Sequence, residues 1–177
     1  DARNTQAYVD FFRRHRVRVV NMSFGGSVGG VEGQLEQCGI GANADERRKI
    51  AREWFDIGKE AFVKAMASAP EVLFVAAAGN ENADSSFAES IPADIVLPNL
   101  ITVGAVDKAG DEAPFTSYGK TVAVHANGYL VDSLIPGGER LTESGTSMSA
   151  PQVTNLAAKI LAVNPALTPP QVIEIIR

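Results

Sequence analysis

The sequence has one cysteine (Cys38) and two histidines (His15 and His125) in 177 residues. A single cysteine excludes an internal disulfide. No thiol-activating motif surrounds Cys38, which reads as an ordinary loop thiol. Aromatic residues make up only 7%, with one tryptophan. No apolar run approaches the length of a membrane span. Basic residues are outnumbered, 16 Lys and Arg against 21 Asp and Glu, a net charge of −5. That balance argues against nucleic acid or an anionic membrane as partner. Arg13, Arg14, Arg16 and Arg18 read as the solvated end of a helix. No Gly-x-Gly-x-x-Gly lies between a strand and a helix, which weakens a dinucleotide-binding reading. No repeat or low-complexity tract occurs. What is present, 45% hydrophobic and 21% charged residues, suits one globular domain.

Hydrophobic periodicity predicts the elements. Asp1 to His15 reads as a helix with an apolar stripe of Ala7, Tyr8, Phe11 and Phe12. Residues 17–22 form a short β-branched strand. Ser27 to Asn43 is rich in glycine, lacks periodicity and reads as a long loop. Asp45 to Ala67 is the clearest helix, with Ile50, Trp54, Ile57, Ala61, Phe62, Ala65 and Met66 on one face. Trp54 and Phe55 read as core and flank. Val72 to Ala78 is a continuous apolar run of strand length, as expected for a strand covered on both faces. Ile101 to Val106 is a third strand, and Val122 to Val124 and Tyr129 to Ser133 are short extended pieces. A helix starts near Ser147, with Pro151 expected in its first turn, where a missing N–H breaks no helical bond. Thr168-Pro169-Pro170-Gln171 is a capping-box start for a last helix. The pattern is α/β with a mostly parallel sheet flanked by helices. The first residue is not methionine and the last helix stops at Arg177, so both ends read as cuts in a longer protein.

The run Gly145-Thr146-Ser147-Met148-Ser149-Ala150-Pro151 carries the most chemistry. A serine at a helix N-terminus has free backbone N–H groups and the positive end of the helix dipole beside it. That setting suits a nucleophile whose intermediate carries an oxyanion. Read alone, the same residues are also a good N-cap. The full heptapeptide resembles the nucleophile motif of the subtilisin-like serine proteases. Further segments resemble that family in order. They are Val19-Val20-Asn21-Met22-Ser23-Phe24-Gly25-Gly26, Val75-Ala76-Ala77-Ala78-Gly79-Asn80, Leu100 to Val106, and Phe115-Thr116-Ser117-Tyr118-Gly119.

The resemblance implies an incomplete subtilisin-like fold, residues 1–177 being the C-terminal portion of a catalytic domain. It implies a secreted or periplasmic enzyme that cuts polypeptides through an acyl-enzyme on Ser147. Asn80 would be the oxyanion-hole donor, although a Gly-Asn pair alone reads as a strand-end turn. Ser23, Phe24 and Gly25 would form one wall of the pocket for the side chain preceding the scissile bond. Ala76, Ala77, Ala78 and Gly79 would form the other. Met148, beside the nucleophile, is expected to oxidise with loss of rate. The family's loop at 27–43 is usually shorter, which makes this one an insertion beside the cleft.

The sequence also departs from the family. The catalytic aspartate and histidine lie upstream of the first matched segment. No Asp-Ser-Gly or Asp-Thr-Gly follows an apolar strand, and no His-Gly-Thr-His run occurs. His15 and His125 are poor bases, because nothing orients either. The fragment is therefore expected to be inactive alone, its partner being the missing N-terminal part. Strand 17–22 would be an open edge, paired with a second copy or capped by a loop. Gln152-Val153-Thr154-Asn155 replaces the His-Val-Ala-Gly that follows the motif in many relatives, a change expected to affect packing rather than chemistry. Relatives often bind calcium, but Asp84, Glu89, Asp94, Asp107, Asp111 and Glu112 show no calcium-loop spacing, and no cofactor is expected. The alternative reading is a pseudoprotease or peptide-binding module that kept the cleft and lost the chemistry.

Overall fold

The computed structural model describes residues 2–85 and 87–177. The expected helix start at Asp1 lies outside the described residues. The centre is a four-stranded parallel sheet of β1 (Val19–Met22), β3 (Leu73–Ala77), β5 (Leu100–Val106) and β6 (Val122–Asn127), in the order β1-β3-β5-β6. β3 and β5 form its middle. Side chains along a strand alternate between faces. Leu73, Val75 and Ala77 of β3, with Ile101 and Val103 of β5, pack against Ala150, Val153, Ala157 and Leu161 of α4 (Thr146–Val163) and Val172 and Ile173 of α5 (Pro169–Ile176). Phe74 and Ala76 pack on the other side with Val9 of α1 (Ala2–Arg14) and Ala65 and Met66 of α3 (Ala44–Ala67). Two covered faces are why residues 72–78 read as an unbroken apolar run.

Four readings need correction. Residues 27–43 are not a loop throughout, because Val28–Gln37 forms α2. Ser27 caps it by accepting from Gly30 N at 3.1 Å. At its far end Gly39 N reaches Glu36 O and Ile40 N reaches Leu35 O, which closes the helix in a Schellman motif. Leu35 is buried, and Arg47–Glu36 and Arg48–Glu32 ion pairs tie α2 to α3. Tertiary packing overrides the low helix propensity of three glycines. In α3, Trp54 and Ile57 are exposed, while Ala51 and Phe55 are buried. Near its start α3 is ion-paired to α2, and near its end Ala65 and Met66 pack under β3, so no single stripe describes both. In α1, Tyr8 and Phe11 are exposed and Val9 is buried. Adjacent apolar pairs left the facing direction of that helix ambiguous. Finally, Pro151 lies in the second turn of α4, not the first.

Two short ladders were not foreseen. β2 (Gly26–Ser27) pairs antiparallel with β4 (Ser90–Ile91). β7 (Val131–Leu134) forms a hairpin with β8 (Arg140–Glu143). β8 is exposed along its length, so it carries no apolar alternation to read. The capping box at Thr168 and Gln171 is present as expected.

One buried polar side chain holds the α3–β3 connection in place. Asn99, 2% exposed, directs its Nδ2 at the carbonyls of Met66, Ala69 and Val72, at 3.0, 3.0 and 3.2 Å. Asn99→Ala removes this donor; Met66 O and Ala69 O keep the N–H groups of Ala69 and Val72, and Val72 O loses the bond from Asn99. We expect the intact protein to lose about 1–2 kcal/mol in urea unfolding.

Candidate active site

The site assembles where β1, β3 and α4 meet. β3 ends at Ala77, and Gly79 follows with φ +107, a left-handed turn that suits glycine. A Cβ at Gly79 would lie 2.6 Å from Glu81 Oε2 and 3.1 Å from Ser117 Oγ. This turn delivers Asn80 to the start of α4. There Asn80 Oδ1 accepts from Thr146 N at 2.8 Å and from Thr146 Oγ1 at 3.0 Å. Thr146 Oγ1 in turn accepts from Gly79 N at 3.1 Å. A backbone N–H can only donate, so the atom facing Thr146 N must be the amide oxygen. That leaves Asn80 Nδ2 as the donor end of the carboxamide.

Gly145 is the N-cap of α4, in extended backbone, and its N–H donates to Gly128 O at 2.8 Å. The two segments pass so closely that a Cβ at Gly128 would meet Gly145 O and Ala105 Cβ at 2.7 Å and collide with Ser149 Oγ. Ser147 is the second residue of the helix, so its N–H has no acceptor within α4. Its hydroxyl lies 3.4 Å from Ser23 O, and its carbonyl accepts from Ser23 Oγ at 2.8 Å. Neither histidine bonds to Ser147 among the described residues. His125 sits exposed on edge strand β6, and the His15 ring lies tilted against Phe11 past the end of α1, their centroids 4.2 Å apart.

A cleft of about 290 Å³ opens beside these groups. Ser147, Thr146, Asn80, Gly79, Ala77, Phe24 and Gly25 line it, so the serine and the carboxamide share one cavity. β2 and α2 add Gly26, Ser27 and Gly30, and Ser90 and Glu81 complete it. Of the other wall residues named from the sequence, Ser23 is engaged with Ser147. Ala76 is fully buried in the core on the α1–α3 side of the sheet. Ala78 faces a smaller neighbouring cavity of about 100 Å³. Met148 is half-buried in the first turn, close to Gly145. Sequence reasoning did not foresee the polar anchors after the motif. Gln152 Nε2 donates to Asn127 O of β6, and Thr154 Oγ1 lies 3.2 Å from Asn21 Oδ1 of β1. Both are among the residues that depart from the His-Val-Ala-Gly pattern, and they tie α4 to both edge strands.

Three of the loop carboxylates make local contacts. Glu89 pairs with Arg52 and Lys59 of α3. Asp94 accepts from Ser90 N, and burial nonetheless pushes its carboxyl above the usual range. Asp107 closes its own turn through Ala109 N and Asp111 N. Among the described residues no three His, Cys, Asp or Glu side chains approach closely enough to hold a metal ion. Also among the described residues, no helix is long and apolar enough to cross a membrane.

The sequence profile described as "Subtilase family" matches residues 1–177. The chain belongs to the subtilase family. It is similar to a subtilisin of Bacillus pumilus, 39% identical over 101 residues, covering 57% of this chain and 36% of that one. It is 41% identical over 92 residues to subtilisin-like protease 6 of Arthroderma benhamiae, covering 52% of this chain and 21% of that one. The crystal structure of a cold-adapted subtilisin-like serine proteinase matches with a TM-score of 0.71 and 28% identity. That match covers 98% of this subtilase chain and 53% of the other. The chain thus spans about half or less of the length of the relatives it matches. Its α/β fold with a mainly parallel sheet is that part of the subtilisin-like architecture.

The Arg52–Glu89 ion pair gives a pH dependence. The hydrogen bond from Arg52 holds the Glu89 carboxyl below its ordinary value of 4.5, against a smaller opposing effect of burial. A lowered folded pKa adds stability above the unfolded value, and that stability is lost as pH falls through the folded value. The pair is partly exposed, so screening keeps the effect small. Glu89→Gln should lower the melting temperature at pH 7 and shrink its fall on acidification below 4.5; an unchanged acid limb refutes this.

Proposed function

We propose that this chain is the C-terminal part, residues 1–177, of the catalytic domain of a serine endopeptidase that cuts polypeptides through an acyl-enzyme on Ser147. One observation carries the reading: Ser147 and Asn80 line the same cleft, and the Asn80 carboxamide is turned with its oxygen on Thr146 N, which leaves its nitrogen as a donor. Family membership supports the general activity. A peptide would add as a strand along Ser23, Phe24 and Gly25, with backbone hydrogen bonds fixing its register. The side chain before the scissile bond would enter between Phe24–Gly26 and Ala77–Gly79, small and apolar walls that favour apolar or aromatic residues.

Ser147 Oγ then attacks the peptide carbonyl carbon while its proton passes to a histidine base. The carbonyl oxygen becomes an oxyanion, and Asn80 Nδ2 and Ser147 N donate to it. Collapse of the tetrahedral species breaks the C–N bond, the base protonates the leaving amine, and water hydrolyses the ester. No metal or cofactor takes part in these steps. The base and its orienting aspartate belong to the N-terminal part of the domain. That part also supplies a neighbour for edge strand β1, which pairs only with β3 within the described residues; a second copy is the other occupant of that edge. Secretion or export to a periplasm belongs to the same reading and rests on the family likeness alone.

In the intact protein, Ser147→Ala should abolish hydrolysis of a fluorogenic peptide while leaving the fold intact. Asn80→Ala should lower kcat about 10²–10³-fold, the loss measured for this donor in subtilisin itself. A Ser147→Ala protein that still cleaves, or an intact parent that binds peptide without cleaving it, defeats the reading; the second outcome identifies a peptide-binding pseudoprotease. The isolated 177-residue chain should label slowly, if at all, with a fluorophosphonate, and brisk labelling would show that it needs no added base.

A further inference from the structure

In an α-helix each carbonyl accepts from the N–H four residues on. For Ser147 that residue is Pro151, which has no N–H. The Ser147 carbonyl is nevertheless bonded, because Ser23 Oγ donates to it at 2.8 Å. Ser23 lies just past β1, so this bond joins the nucleophile's residue to the edge strand and not to its own helix. A serine hydroxyl has one hydrogen to give. Asn21 Nδ2 donates into Ser23 Oγ at 2.9 Å, which leaves that hydrogen directed at Ser147. The Asn21 carboxamide is held in that sense by Thr154 Oγ1, which shares its hydrogen between Asn21 Oδ1 at 3.2 Å and Ala150 O at 3.0 Å. Ser147 is thus gripped twice by one residue. Its carbonyl takes the Ser23 hydroxyl, and its own hydroxyl lies 3.4 Å from the Ser23 carbonyl.

We propose that Asn21 and Ser23 are positioning residues: their relay replaces the helical bond that Pro151 cannot make and so sets where Ser147 stands relative to Asn80. The kinetic consequence rests on the peptidase reading above; the structural one does not. Residue 147 carries both the attacking oxygen and one oxyanion donor, so a shift of its backbone moves both against Asn80. Small misplacements of reacting groups are costly to rate.

The test is a four-protein cycle in the intact enzyme: parent, Ser23→Ala, Pro151→Ala and the double variant. Ser23→Ala should lower kcat about five- to tenfold with KM within about twofold, and slow fluorophosphonate labelling of Ser147 by a similar factor. Pro151→Ala restores an N–H to the helix. In that background Ser23→Ala should cost less than about twofold in labelling rate. Because the comparison is made within each background, any effect of Pro151→Ala alone cancels. An unchanged labelling rate in Ser23→Ala, or the same loss in both backgrounds, overturns the relay. The melting temperatures of the four proteins read the same coupling without catalysis. Ser23→Ala should lower the midpoint more beside Pro151 than in the Pro151→Ala background, and equal drops overturn the relay. A parent that cleaves no peptide would defeat the peptidase reading instead, and the thermal cycle would still decide the relay.

Discussion

The first two turns of α4 contain more unpaired backbone groups than a helix can satisfy by itself, and the site is organised by how they are met. The opening N–H groups have no carbonyl before them, and Pro151 withholds a donor from the second turn. Thr146 N is met by Asn80, Gly145 N by Gly128 and the Ser147 carbonyl by Ser23. Each partner comes from a different segment, at the end of β3, after β6 and after β1. The Ser147 N–H is left without a helical acceptor. Satisfying the rest of the helix start is therefore the same act as assembling the site.

Parallel topology explains why those partners converge. All four strands run in one direction, so the segments leaving them lie at one edge of the sheet, the usual place for a site in open α/β folds. β1 delivers Ser23, β3 delivers Asn80 and β6 leads to Gly128. The middle strands are anchored on both faces by two separate cores. Their ends are thus fixed by burial far from the cleft, and the polar contacts at the helix start need only small adjustments to form.

Much of this was legible because the relevant signals are local. The apolar run of β3, the Gly-Asn after it, the Gly-Thr-Ser-Met-Ser opening of α4 and the Thr168 capping box each depend on residues close in sequence. What escaped depends on contacts between distant segments. α2 forms despite Gly29, Gly30 and Gly33 because Leu35 is buried and α3 lies against it. The face of α3 changes along its length because two different partners cover its halves. The roles of Thr154 and Gln152 were invisible because their partners, Asn21 and Asn127, lie more than twenty residues away on the two edge strands. Thr146 looked like a helix cap, and it is the residue that orients the Asn80 carboxamide.

The cleft consequently has walls of unequal stiffness. On one side Ala77, Thr146 and the turn at Gly79 belong to buried central elements, tied by hydrogen bonds within 3.1 Å. On the other, β2 holds a ladder of only two residues and α2 buries a single side chain. Few buried contacts and a glycine-rich helix mean low local stability. The stiff wall carries Thr146 and the Gly79 turn that holds Asn80, and the soft wall carries β2 and the start of α2. A fold built from one sheet can have both, because its middle strands are covered on both faces while the short segments at the rim are not.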